Sequence, residues 1–289
     1  MKKIVVLGGN GQLGNCFRKI AFDYSSQYDF HFVGSDELDI TNQSAVSDFF
    51  DDLKPDFCVN AAAYTAVDLA ENEPEKAFAV NAEAVGYVAE ACKNSNTVLI
   101  HISTDYVFDG ETNISYSEDN FTNPQGVYGA SKLAGEELAL ENNPKTIVIR
   151  TSWLYSEFNK NFVKTMLQLF SQKEELGIVA DQFGQPTNAN DLAKAVMKII
   201  GSNRQIFGIF HFSNYPETSW YDFASKIAEF SESKIKLNAI KTADFPTLAK
   251  RPQRSTMALD KIEKFYGVEP EHWENSLEEC ITILKTPAE

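Results

Sequence analysis

Ile4-Val5-Val6-Leu7-Gly8-Gly9-Asn10-Gly11-Gln12-Leu13-Gly14 sets a short apolar run directly before a turn of closely spaced glycines and the start of a helical pattern. An apolar run of this length, rich in β-branched residues, is the mark of a strand buried on both faces in a parallel sheet. Gly9, Gly11 and Gly14 satisfy the spacing G-x-G-x-x-G. Between a strand and a helix, that spacing points to a dinucleotide whose pyrophosphate rests on the free N–H groups at the positive end of the helix. Gly8, Gly11, Gln12, Leu13 and Gly14 are the candidate contacts.

From this turn outward, short β-branched runs alternate with longer amphipathic ones, as in a parallel sheet wrapped by helices. Strands are expected near residues 3–7, 30–33, 56–60, 97–103, 146–151 and 208–212, and helices near 12–22, 43–53, 74–92 and 127–141. Asp39-Ile40-Thr41-Asn42 offers N-caps for the second helix, and Pro74 suits the first turn of the third. After Arg150 the rhythm loosens, with helices expected near 161–172, 191–200, 219–231 and 276–284 and a Gly- and Pro-containing loop at 181–187. The order of elements predicts an α/β fold, a Rossmann-type doubly wound parallel sheet with a smaller C-terminal substrate-binding lobe. Residues 1–152 would form the nucleotide domain, rejoined by 188–212, with 153–187 and 213–289 in the lobe.

A carboxylate to bond the cofactor ribose should end the second strand. That strand runs instead into Gly34-Ser35 before Asp36-Glu37. Asp36 suits a 2′-hydroxyl and Ser35 tolerates a 2′-phosphate, so the choice between NADH and NADPH stays open.

The chain has 289 residues, 41 acidic against 26 basic, and a formal net charge of -15. That balance does not suit a nucleic-acid partner, whose phosphates need Lys and Arg. No stretch reaches the roughly 18 apolar residues of a membrane span, and the apolar run after Lys3 breaks at Gly8-Gly9, too early for a secretory signal. Cys16, Cys58, Cys92 and Cys280 show no C-x-x-C spacing, and the four histidines form no ligand cluster. The expectation is reduced thiols, a cytoplasmic location, no membrane partner and no metal site.

Tyr128-Gly-Ala-Ser-Lys132 puts a phenol and an ammonium on one helix face. The charge is expected to lower the phenol pKa, so that Tyr128 can protonate a carbonyl oxygen. Ser103-Thr104-Asp105 closes an apolar run, which places Thr104 at the ligand edge of the sheet, within reach of the same oxygen. Trp153 is either core or a ring on which a sugar or base packs.

With GGNGQLG go LDIT at 38–41, NAAAYTAVD at 60–68, STDYVFDG at 103–110, YGASKLAGE at 128–136, RTSWLY at 150–155 and RPQRSTM at 251–257. In this order the motifs resemble the extended short-chain dehydrogenase/reductase family, within it the branch acting on dTDP-linked 4-keto sugars. The resemblance implies hydride transfer from NADPH or NADH to the C4 ketone of dTDP-4-dehydro-L-rhamnose. It implies Thr104, Tyr128 and Lys132 as the catalytic triad, with Lys132 also on the nicotinamide ribose and Asn81 supporting the site. Asp39 and Ile40 would line the adenine, and Ala61, Ala62 and Ala63 the dinucleotide at the end of its strand. Thr65, Val67, Thr104, Asp105, Tyr106 and Trp153 would face the dTDP-sugar, with loop 181–187 and Arg251 closing over it. Two related readings are an epimerase that keeps its NAD bound and a non-catalytic nucleotide-binding regulatory subunit. Some members of the group dimerise through magnesium held by glutamates, where this chain has Asn15 and Asn190. A monomer or a metal-independent homodimer is therefore expected.

Overall fold

A computed structural model describes residues 1–286. Strands β1 (Lys2–Leu7), β2 (Tyr28–Val33), β3 (Phe57–Asn60), β4 (Val98–Thr104), β5 (Thr146–Thr151) and β6 (Gly208–His211) form one sheet in the order β6-β5-β4-β3-β1-β2. Every neighbouring pair in it is parallel. The strand order reverses between β1 and β3, and the crevice beyond the carboxyl ends of these two strands is where such sheets bind ligands.

Alternation along β1 divides the core in two. Ile4 and Val6 pack on one face with Leu13, Phe17 and Ile20 of helix α1 (Gln12–Ala21) and with the helix Ala189–Gly201. Val5 and Leu7 pack on the other with Val46 and Phe50 of α2 (Gln43–Leu53), with α3 (Ala84–Asn94) and with Ala139 of α4 (Val127–Asn142). Side chains alternate across a strand, so a sheet covered on both faces needs every β1 position apolar. Asn42 caps α2 through a bond from the Ala45 N–H, and Pro74 opens its own helix. β6 pairs with β5 and supplies the sheet's last strand.

The lobe has a separate core, in which helices Phe162–Phe170, Trp220–Phe230 and Trp273–Lys285 surround Tyr155, Val163, Phe223 and Leu277. Its edge is a parallel pair absent from the sequence reading, Glu175–Val179 with Lys236–Ile240. The helix expected at 74–92 runs through 74–94 and carries one irregular turn. Pro74–Phe78 and α3 are separated by a π-turn at Ala79–Glu83, which carries Asn81 inward. The last helix starts at Trp273, ahead of the expected Ser276, because the His272 ring accepts from the Glu274 N–H. Among the described residues, no helix is long and apolar enough to cross a membrane.

Candidate active site

The glycine turn is shaped by close backbone contacts. Gly8 has φ +78°, and a Cβ there would lie 2.8 Å from the Ala62 nitrogen, so β1 and the exit of β3 touch backbone to backbone. At Gly14 a Cβ would come within 2.5 Å of the Gly8 carbonyl oxygen, which seats α1 against the turn. Gly11, the N-cap of α1, has no side chain to satisfy the first N–H groups of that helix, so they remain for an anion. From the lobe, Asn159 donates to the Asn10 carbonyl at 3.1 Å and Asn161 to Gln12 Oε1 at 2.8 Å, bracing the turn from above.

Two cavities meet at Gly8, Gly11, Ala61 and Ala63. One, about 390 Å³, is walled by Gly34, Ser35, Asp39 and Ile40. The other, about 540 Å³, extends past Thr65 and Val67 to Thr104, Tyr128, Lys132 and Trp153. A long ligand with two lobes and an anionic middle fits this pair, its charge lying over the α1 N-terminus. Asp36 stays outside the smaller cavity, where it accepts from the Asn10 amide at 3.2 Å. Asp39 accepts from the Thr41 N–H and hydroxyl, and these bonds hold its carboxyl below the usual range.

The reacting side is built by the end of β4 and the start of α4. Glu71 accepts from the Val127 N–H and fixes the first turn of α4. Tyr128, Lys132 and Glu136 then follow at successive turns on one face. The Tyr128 phenol reaches the Thr104 hydroxyl, and its ring packs edge-on against Tyr106 at 5.6 Å. Lys132 is 2 % exposed, and its Nζ donates to the Ile102 carbonyl at 2.7 Å. Burial pushes the Lys132 ammonium down to about 8, against the opposing pull of Glu136.

The pKa expected for the phenol is corrected here. Burial raises the Tyr128 phenol above its ordinary value, the neighbouring Thr104 hydroxyl offsets part of the rise, and Asp105 adds to it. The ammonium is committed to the Ile102 carbonyl, so it does not lower the phenol. Tyr128 is therefore protonated throughout the neutral range, which suits a group that must give a proton away.

Beneath this trio Glu136 and Arg150 form a bidentate pair, with Arg150 Nε to Oε1 at 2.9 Å and Nη2 to Oε2 at 2.6 Å, both residues buried. Ser103 also donates to Glu136, so α4, β4 and β5 are tied together one residue from Thr104. Breaking such a pair leaves a buried charge unmatched, at a cost of about 3–5 kcal/mol. Asn81 is buried and ties its turn to the start of α4. Its amide exchanges bonds with the Tyr64 backbone at 2.8 and 3.0 Å and reaches Ser131 of α4 at 3.0 Å.

Thr65, Val67, Thr104, Asp105, Tyr106 and Trp153 all line the larger cavity. Arg251 does not. Its guanidinium is held by Asp68 at 2.6 Å, with Tyr106 beneath it. Loop 181–187 also stays off the cavity wall, and its role here is to support Trp153, against whose ring Gly184 packs. Trp153 stacks on Trp220 with centroids 3.5 Å apart, so it is both packed and part of the cavity wall. The sequence reading missed Asn159, Lys160, Asn161 and Trp220, which complete that wall. They lie far from the glycine turn along the chain, in segments without a spacing that signals ligand contact.

The family model described as "RmlD substrate binding domain" matches residues 1–286. The chain is 44% identical to the dTDP-4-dehydrorhamnose reductase of Aggregatibacter actinomycetemcomitans, over 96% of this chain and 97% of that one. It is similar to the solved structure of a dTDP-4-dehydrorhamnose reductase from Clostridium acetobutylicum, with TM-score 0.94, 39% identity and coverage of 98% of this chain and 100% of the other. The Bacillus anthracis dTDP-4-dehydrorhamnose reductase, solved in complex with NADP, aligns with TM-score 0.94 and 36% identity over 98% and 100% of the two chains.

Proposed function

Because the chain belongs to the dTDP-4-dehydrorhamnose reductase family, whose model spans residues 1–286, we propose the roles its residues take in that reaction. The activity is NAD(P)H-dependent reduction of the C4 ketone of dTDP-4-dehydro-L-rhamnose to dTDP-L-rhamnose. The observation that carries the assignment of roles is that Tyr128, Lys132 and Thr104 line one wall of the cavity that begins at the glycine turn.

The cofactor would be held by Gly8, Gly11, Gln12 and Leu13 at its pyrophosphate, by Ser35, Asp39 and Ile40 at its adenosine, and by Ala61–Ala63, Tyr128 and Lys132 at its nicotinamide half. Gly14 serves it by packing the turn. When bound, the cofactor supplies the hydride. Tyr128 gives its phenolic proton to the oxygen at C4 as charge develops there, and Thr104 orients that oxygen. Lys132 keeps a positive charge under the site. Val67, Asp105, Tyr106 and the Trp153–Trp220 stack face the sugar nucleotide, while Arg251 acts from behind by fixing Tyr106 and Asp68.

We assign residues 1–152 and 188–212 to the nucleotide domain, which agrees with the return of β6 to the sheet. The proposal includes a cytoplasmic enzyme with no nucleic-acid partner, working as a monomer or a metal-independent dimer. Oxidation of NAD(P)H followed against a panel of nucleotide-linked 4-keto sugars tests the assignment. Turnover should be greatest with dTDP-4-dehydro-L-rhamnose, and equal turnover across the panel would count against it.

Both NADH and NADPH should support turnover, with a preference below about a hundredfold, or roughly 3 kcal/mol. Ser35 leaves room on the wall of the smaller cavity, and Asp36 is turned onto Asn10. A larger ratio of kcat/KM for the two cofactors would mean that Asp36 or another group reaches the 2′ position. Adding EDTA should change neither activity nor hydrodynamic size. Asn15 and Asn190 offer only neutral amide oxygens where a hard cation wants carboxylates, and the carboxylate beside Asn190, Glu157, already pairs with Lys19 at 2.7 Å. Dissociation of a dimer on chelation, read by light scattering, would contradict this.

A further inference from the structure

Thr104 has one proton to give, and in the structure it is already committed. The hydroxyl donates to Asp105 Oδ1 at 3.0 Å, and its oxygen accepts from the Tyr106 N–H at 3.2 Å. A hydroxyl is one donor with two lone pairs. While Asp105 takes the donor, Thr104 can offer a ketone oxygen only a lone pair, which repels an oxygen gaining negative charge. Asp105 is 1 % exposed, its Oδ2 has no hydrogen-bond partner, and the Ser255 hydroxyl that faces it is unpartnered too. A buried ionised carboxylate with an unmatched oxygen is costly, and a neutral carboxyl much less so.

Resting on the roles given above to Thr104 and Tyr128, we propose that Asp105 works as a carboxylic acid and is the positioning residue of Thr104. Protonated, Asp105 donates to the Thr104 oxygen, so that oxygen accepts from Asp105 and Tyr106 together. The Thr104 hydroxyl is then free to donate to the substrate oxygen. Ionised, Asp105 takes that hydrogen bond back and leaves a negative charge beside the developing alkoxide. No proton is consumed at Asp105, because the one that ends on the substrate comes from Tyr128.

The surroundings favour the acid form. Burial pushes the Asp105 carboxyl up to about 6, while the Ser255 and Thr104 hydroxyls that face it pull the other way. Of the ionisable groups around it, Tyr106 and Tyr128 are phenols raised by burial and stay neutral. Lys132 is held on the Ile102 carbonyl, and Arg251 is paired with Asp68 beyond Tyr106. An anionic sugar nucleotide entering the cavity excludes water and adds negative charge, both of which push the carboxyl further up.

The test follows kcat and kcat/KM against pH, with NADPH and dTDP-4-dehydro-L-rhamnose, for the wild type, Asp105→Asn and Asp105→Ala. Wild-type kcat/KM should fall about tenfold per pH unit above a midpoint near about 6, with the midpoint for kcat displaced upward because substrate is bound. The Asn amide donates at every pH. Asp105→Asn should therefore lose this limb and exceed Asp105→Ala by about tenfold at pH 8, the scale of one hydrogen bond. The infrared carbonyl band of a protonated carboxyl, titrated in wild-type enzyme holding NADP and dTDP-L-rhamnose, gives a reading that does not depend on the variants folding. A flat wild-type profile between about pH 5 and 8, an Asn variant that keeps the limb, or absence of the band near pH 7 would each overturn the proposal. Failure of the wild type to reduce the substrate at any pH would overturn the parent assignment as well, and is distinguishable by that total loss.

Discussion

Tyr128→Phe should lower turnover by roughly 10² to 10⁴, the usual worth of a positioned general acid, while NAD(P)H still binds. The ring remains, so its edge-on packing against Tyr106 at 5.6 Å and the cavity wall survive. Only the proton donor that faces Thr104 is removed. Cofactor affinity is the control, measured by quenching of protein fluorescence or by calorimetry. Near-normal reduction by this variant would remove the chemical basis of the assignment and leave a dinucleotide-binding protein.

Lys132→Ala should give a different pattern, with turnover down about 10²-fold, the scale of one preorganised charge, and cofactor affinity reduced as well. The variant removes a buried ammonium from the cavity wall and leaves the Ile102 carbonyl without its donor. The wild type offers a further check. Lys132 is pushed down to about 8, so affinity for the anionic cofactor should weaken as the pH rises through that value. The Ala variant should lack this dependence. Residues that act as a unit are not additive, so the double variant should be far less impaired than the product of the single losses. Strict multiplication of the two effects would show that Tyr128 and Lys132 act independently.

How much of this site the sequence discloses depends on the range of the contacts. The glycine turn, the Tyr128 and Lys132 pair and Thr104 at a strand end are local patterns with a fixed spacing, and the structure brings them onto one cavity. The direction of the Tyr128 shift was not legible. It depends on whether the ammonium meets the phenol or the Ile102 carbonyl, which belongs to β4 and not to the helix. The pairing of Arg251 with Asp68 was not legible for a similar reason, since the two are distant in the chain. The π-turn at Ala79–Glu83 escaped because one extra residue in a helix leaves the apolar period almost unchanged. Glu175–Val179 and Lys236–Ile240 are short, part-exposed strands with charges at their ends, and neither shows the apolar run that marks a buried strand.

The return of β6 to the sheet also governs how this chain can be made and divided. A fragment ending after β5 would carry every glycine of the cofactor turn and both Tyr128 and Lys132, yet it would leave β5 as a bare edge. It would also lack the helix Ala189–Gly201 that covers Leu13, Phe17 and Ile20 of α1. Open strand edges and uncovered apolar helix faces are aggregation templates. On the ribosome, then, the nucleotide-binding half has to wait, incomplete, until the first part of the lobe and β6 have emerged. The two halves are interleaved in time as well as in space, and shortening the gene at the apparent domain boundary would yield an insoluble product rather than a minimal cofactor-binding module.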